Sequence, residues 1–348
     1  MMALPASVRR QIANAAYGQL ISFLLVLTSV FTRYLNDANA SLPTFQTLFL
    51  YGGLVVTFLV YYVVMKRPSV DLPWWYWAIF GFLDVEGNYC VVLAFRGLSN
   101  FAVMGLVVHM TIPFVTILSF FLLRKMYRLS HIVGCAFAIG GCTLIFLATT
   151  TDGDYPDQVT SNCWALLGAL GYALSNLMNE YAVKRGGLDA NIECLGKVGA
   201  WGLVVSLVQF YCLEYSDFQR VEWSGAKIGY TFGYVLTLYI FYVVVSIFLR
   251  VTEALMFNLS LLTSDLYSAL FIWWLFGNIV PTLYWPAWAL EVVGIVLYSM
   301  REPTQLPMGD PDWWLMRLTR KLGGKPTATT LDSFRDSYYE SPHKSTMV

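Results

Sequence analysis

Asp84 and Glu86 lie in FLDVEGNYC, residues 82–90, between the apolar runs WWYWAIFG and VVLAF. An ionised side chain at the centre of a bilayer costs about 3 kcal/mol or more, so acids kept in such a segment are expected to face a wet cavity or a polar partner. There they can accept hydrogen bonds from a solute, attract a cation or carry a proton. The same reasoning singles out His109, Glu180, Lys197, Asp265 and Glu291, each in an apolar stretch. For each, the competing reading is a buried structural group held by hydrogen bonds.

Spacing sorts these groups. Asp84 and Glu86 are two residues apart, about 200° around a helix, so both cannot face one site on a regular helix. Asp84 shares its face with Asn88, and Glu86 shares one with Tyr89 and Cys90. One carboxylate is expected to face the cavity and the other to bond a neighbouring helix. The sequence does not decide which, although Glu86 beside Tyr89 makes the better ligand face. Tyr172, Asn176, Asn179 and Glu180 recur at helical spacing as a polar stripe, and Asn258, Asp265 and Ser268 form a second. The expected substrate-binding set is Glu86, Asn88, Tyr89, Tyr172, Asn176, Glu180, Asn258 and Asp265, with Asp84, His109, Asn179 and Ser268 in coupling or structural roles. His109 precedes Pro113 by four residues, in a helix that the proline would kink; it reads equally as a titrating group or a packing histidine. Lys197 is expected near the cytoplasmic interface by snorkelling. Glu291, without polar neighbours on its helix, ranks last.

No bond-breaking constellation accompanies these groups. His109, His131 and His343 are scattered with no HExxH spacing, so neither an enzyme, a metal site nor a cofactor is expected. Six cysteines fall in or beside apolar segments without a CxxC pair and read as small core residues. With 22 basic and 22 acidic residues there is no basic excess to neutralise phosphates, which argues against nucleic acid. The expected partners are a small organic solute and membrane lipid.

These side chains must be positioned by membrane helices, because 57% of the residues are hydrophobic and 13% charged, far below the charge of soluble domains. Windows of about 20 apolar residues, the length of a bilayer-spanning helix, occur ten times, at 11–34, 44–65, 74–95, 100–123, 129–149, 161–183, 193–213, 228–249, 254–276 and 282–300. Alternate loops hold Arg9 and Arg10, Lys66 and Arg67, Arg124, Lys125 and Arg128, Lys184 and Arg185, Arg250, and Arg301, which places both termini in the cytoplasm. Plasma and internal membranes fit equally. The tail 302–348 is polar and reads as disordered, with PDWWLMRLTRKL at 311–322 as an interfacial helix or a plain linker. Thr346-Met347-Val348 at the C-terminus offers a short motif to a carboxylate-binding protein. Glycines at 225, 229 and 233, and at 196, 199 and 202, are expected to permit close helix approach.

Two stretches repeat in order. FRGLSNFAVMGLVV, around Arg96, and LRVTEALMFNLSLL, around Arg250, both run from an arginine loop through small polar residues into an apolar span. An offset of five spans is odd, so the second copy faces the opposite side. The fold class expected is all-α integral membrane, ten transmembrane helices in two inverted five-helix repeats, residues 1–150 and 151–301.

DVEGNY at 84–89, GALGYALSNLMNEYAVK at 168–184, TSDLYS at 263–268 and VGIVLYS at 293–299 together resemble solute carrier family 35, subfamily F, within the drug/metabolite transporter superfamily. The resemblance covers roughly residues 11–302. It implies the drug/metabolite transporter fold, a carrier of organic solutes related to nucleotide-sugar transporters, and motif positions at Asp84, Glu86, Asn88, Tyr89, Glu180 and Asp265. Where the family usually has an acidic residue in the fourth helix, this chain has Val108, with His109 beside it.

Charge extends the reading. A nucleotide sugar brings a diphosphate, which calls for Lys or Arg, whereas this core offers mainly carboxylates. The solute expected is neutral or cationic and nucleobase- or nucleoside-like, resting on tyrosines, moved by alternating access and open to proton coupling through a buried acid. The alternatives are a nucleotide-sugar antiporter of an internal membrane and a non-transporting receptor or scaffold.

Overall fold

Long apolar runs fold as helices because only a helix satisfies every backbone N–H and C=O within its own segment when no water is present. The computed structural model describes residues 6–66, 70–97, 101–123, 125–151, 158–185, 190–251, 254–299 and 304–305. In chain order the helices are α1 (Ala6–Asp37), α2 (Pro43–Val64, with a π-helical turn at Val55–Leu59), α3 (Trp74–Ala94), α4 (101–123), α5 (Leu129–Thr151) and α6 (Gln158–Arg185). They continue with α7 (Ala190–Arg220, π-helical at Phe210–Glu214), α8 (Gly225–Val251), α9 (Ala254–Phe276) and α10 (Tyr284–Ser299). A two-residue ladder pairs β1 (Lys125–Met126) with β2 (Thr304–Gln305) antiparallel.

Seven of the described helical stretches are long and apolar enough to cross a membrane. They cover α1 to α5, α7 and α8. The windows expected at 161–183 and 254–276 are helical within α6 and α9, and the window 282–300 is helical over 284–299 in α10, but these three stand outside those seven. In α6, Asn162, Asn176, Asn179, Glu180, Lys184 and Arg185 lower the hydropathy. Large apolar side chains lie fully outward, Trp274 at 70% and Ile279 at 83% exposure, which water would disfavour and lipid accepts. The chain is an integral, multi-pass membrane protein.

α4 is not one helix. It opens between Phe101–Val108 and Thr111–Leu123. Pro113 has no N–H to give the carbonyl of His109, and the Ile112 N–H bonds that carbonyl instead, at 2.9 Å. The start of α2 is held from a distance. Its flanking Leu42 supplies no side-chain cap, and Glu214 of α7 accepts the N–H groups of Thr44 at 2.9 Å and Phe45 at 3.0 Å. A carboxylate there satisfies two otherwise unpaired donors and complements the positive end of the helix dipole.

The helices pack as α5 on α10, α3 on α6, α1 on α8 and α9, and α7 on α2 and α3. Small residues set these crossings. A Cβ on Gly171 would stand 2.8 Å from Gly87 Cα, and one on Gly294 would stand 2.7 Å from the Gly134 carbonyl. Gly196, Gly199 and Gly202 of α7 seat Leu59, Leu54 and Tyr51 of α2, whereas Gly225 and Gly229 face open space and Gly233 alone of that series meets a neighbour, Phe31. Buried apolar side chains gather in two main groups. One surrounds Val103, Leu106, Ile145, Ile272 and Tyr284; the other surrounds Leu50, Leu54, Trp77, Val85 and Val198. Cys163 and Cys212 are exposed rather than in the core.

Candidate functional site

A central cavity of about 160 Å³ lies between the two apolar groups, lined from α1, α3, α4, α6, α7, α8 and α9. Its volume is comparable with a cavity that holds one benzene ring. Asp84 of α3 borders it, 5% exposed. Three hydroxyls donate to this carboxylate: Tyr51 at 2.8 Å and Tyr242 at 2.6 Å to Oδ2, and Ser175 at 2.9 Å to Oδ1. Asn88, one turn on, donates to the Tyr242 oxygen at 2.8 Å and the Tyr51 oxygen at 3.2 Å, and accepts the Tyr172 hydroxyl at 3.0 Å. Residues from α2, α3, α6 and α8 thus meet on one buried acid. Such a network restricts each member to one geometry.

Glycines give the rings their places. The Tyr51 ring fills the space where a Cβ on Gly202 would stand 2.5 Å from Cδ1, and the Tyr172 ring passes 3.0 Å from a Cβ on Gly87.

The two neighbouring carboxylates of α3 part company, as 200° of rotation on a regular helix requires. Asp84 with Asn88 faces the cavity. Glu86 is half-buried and accepts a hydrogen bond from Gln209 Nε2 of α7, and neither it nor Tyr89 lines the cavity. The sequence-based preference for Glu86 with Tyr89 as the ligand face therefore does not match the geometry. Of the α6 stripe, Tyr172, Asn176 and Asn179 line the cavity. Glu180 is buried off its wall. Of the α9 stripe, Ser268 lines it and Asp265 lies just behind, 1% exposed; the side chain of Asn258 lies outside the described residues. Lys197 does not reach across the cavity. It bonds Glu193 one turn before it and lies over the Trp77 ring, 4.9 Å from its centre.

His109 borders the cavity at the break in α4. Its Nδ1 is 2.7 Å from Glu291 Oε2 and 3.6 Å from Asp265 Oδ2. Sequence reasoning ranks Glu291 last because its partners come from α4 and α9, not from its own helix. Tyr51, Tyr242 and Ser175 were missed outright, because their partner Asp84 comes from another helix. The one local signal was their polarity within apolar spans.

A profile described as SLC35F, solute carrier family 35, matches residues 8–300. Solute carrier family 35 member F2 of Mus musculus is 31% identical over 299 residues, 81% of this chain and 77% of that protein. An uncharacterized solute carrier family 35 member of Schizosaccharomyces pombe is 30% identical over 291 residues, and this chain spans 57% of its length. A crystal structure of a protein shares the fold at a TM-score of 0.54 with 16% identity, covering 82% of this chain and 97% of that one. The profile match takes in every helix that walls the cavity, so the chain belongs to the SLC35F family and is a membrane transporter of the solute-carrier type.

Proposed function

We propose that this transporter is a secondary-active carrier working by alternating access, and that its solute is neutral or cationic and nucleobase- or nucleoside-like. Its ten helical stretches are read as two inverted five-helix halves, 1–150 and 151–301, with a tail over 302–348 and both termini in the cytoplasm. Helix pairing supports the repeat. Exchanging each helix for the one five places away turns the pair α3·α6 into α8·α1, α1·α9 into α6·α4 and α3·α7 into α8·α2, all of which are in contact. The pairs α2·α7 and α5·α10 map onto themselves, as they must if a pseudo-two-fold axis runs through the bundle. Both members of α2·α7 contain a π-helical turn.

One observation carries the solute class: Asp84 is held by three hydroxyls on the wall of a ring-sized cavity among whose described lining residues there is no Lys or Arg. A diphosphate would enter with its charge unmatched, while an amine or an aromatic base meets a carboxylate, amides and the tyrosines Tyr172 and Tyr234 of the lining.

Uptake into proteoliposomes of a panel of nucleobases, nucleosides, organic amines and nucleotide sugars tests the reading. Saturable uptake of a member of the first three classes is expected, reduced at least about tenfold by Asp84→Asn, the equivalent of about 1.4 kcal/mol. Saturable uptake of a nucleotide sugar, unchanged in Asp84→Asn, overturns it.

A further inference from the structure

Two buried carboxylates converge on a single imidazole behind the cavity. Glu291 is 0% and Asp265 1% exposed, and His109 is 7% exposed. The Glu291 Oε2 oxygen takes the His109 Nδ1 hydrogen bond at 2.7 Å. Both oxygens of Asp265 and Oε1 of Glu291 lack a hydrogen-bond partner among the described residues. Asp265 is nonetheless pressed against α4. A Cβ on Gly105 would stand 2.9 Å from Asp265 Oδ1, so only glycine leaves the acid this room. The other titratable groups packed about the trio are Cys142 of α5 and Tyr284 of α10, whose hydroxyl donates to the Asp265 backbone carbonyl at 3.0 Å. Among the described residues, no Lys or Arg forms an ion pair with either carboxylate.

Two ionised carboxylates beside a neutral imidazole would leave two negative charges in the protein interior, where an unpaired charge is costly. One bound proton, on His109 or on Asp265, removes one of them. A metal ion is a poor alternative, because among the described residues these side chains do not form a metal-holding group.

We propose that His109, Glu291 and Asp265 are the proton-binding site that couples this carrier's cycle, with His109 passing the proton to Asp265. A proton from cavity water, where the His109 ring lies, makes the imidazolium while Glu291 orients Nδ1–H. The Nδ1–H bond then breaks as an O–H bond forms on Asp265, leaving a neutral imidazole. The transfer distance is 3.6 Å in this state, so the step requires the ring to approach Asp265, at a turn of α4 held partly by three-residue bonds such as Met110 N–H to Val107 and Ile112 N–H to His109. This inference rests on the carrier reading, but its test does not need the solute.

Infrared difference spectra of the purified full-length protein in lipid nanodiscs, between about pH 5 and about pH 8, report protonated carboxylic acids by their carbonyl stretch. The wild type is expected to show such a band growing on acidification. Asp265→Asn should remove it, Glu291→Gln and His109→Gln should each move its midpoint by at least about one pH unit, and Asp265→Glu should restore a titrating band. A wild type with no titrating band overturns the proposal, as does a band that all of these variants leave unchanged. A titrating site in a protein that takes up none of the panel solutes overturns the carrier reading and leaves the proton site; uptake without a titrating band does the reverse.

Discussion

The hydroxyl of Tyr242 on α8 lies 2.6 Å from Asp84 Oδ2 on α3, so two helices whose residues are 158 apart along the chain are tied through one buried carboxylate. Removing that hydroxyl leaves Asp84 with two donors and takes from Asn88 one of its acceptors. Tyr242→Phe should lower stability by about 1 kcal/mol and weaken solute uptake more than this small loss of folded protein accounts for. Thermal unfolding in detergent and proteoliposome uptake measure the two effects; a variant identical to wild type in both would contradict the arrangement.

Glu86 and Asp84 should behave differently although they are two residues apart. Glu86→Gln retains a partner for Gln209 and sits off the cavity wall, so uptake is expected to stay within about twofold of wild type, a difference of about 0.4 kcal/mol. An equal loss in Glu86→Gln and Asp84→Asn would put the ligand face on the other side of α3.

Gly202→Ala should disturb the site from a distance. The new Cβ would meet the Tyr51 ring 2.5 Å from Cδ1, and Tyr51 is fully buried. The ring must shift, at a cost of about 1–3 kcal/mol for overpacking, and its 2.8 Å bond to Asp84 breaks. Gly229→Ala, which enters open space, provides the comparison and should show no such loss. Paired melting curves of the two variants check this.

Glu214→Ala removes the acceptor of both the Thr44 and Phe45 N–H groups. Loss of a helix cap costs about 1 kcal/mol, and loss of a favourable charge at the helix N-terminus adds to it. Unfolding should therefore occur at lower temperature, and hydrogen exchange at Thr44 and Phe45 should quicken while that in the centre of α3 does not.

Much was determined by the sequence alone. Apolar runs of helical length mark where the chain becomes helical, since unsatisfied backbone groups are intolerable in lipid, and each of the ten windows overlaps a described helix, although several overrun its ends. The motifs around Asp84, Glu180, Asp265 and Gly294 carried the family, because residue type and order are properties of the chain itself. Periodicity also separated Asp84 from Glu86, since that angle is set by helix geometry. Which of the two faces the cavity was decided by tertiary packing: α2 and α8 bring Tyr51 and Tyr242 to Asp84, and α7 brings Gln209 to Glu86. Glu291 shows the same division from the other side. Its own helix carries no other charged residue, and its meaning comes from His109, 182 residues away in sequence. A pattern along one helix reports only the face its residues share; what stands opposite that face depends on how the helices cross, and here glycine contacts such as Gly87 on Gly171 and Gly202 on Tyr51 set those crossings.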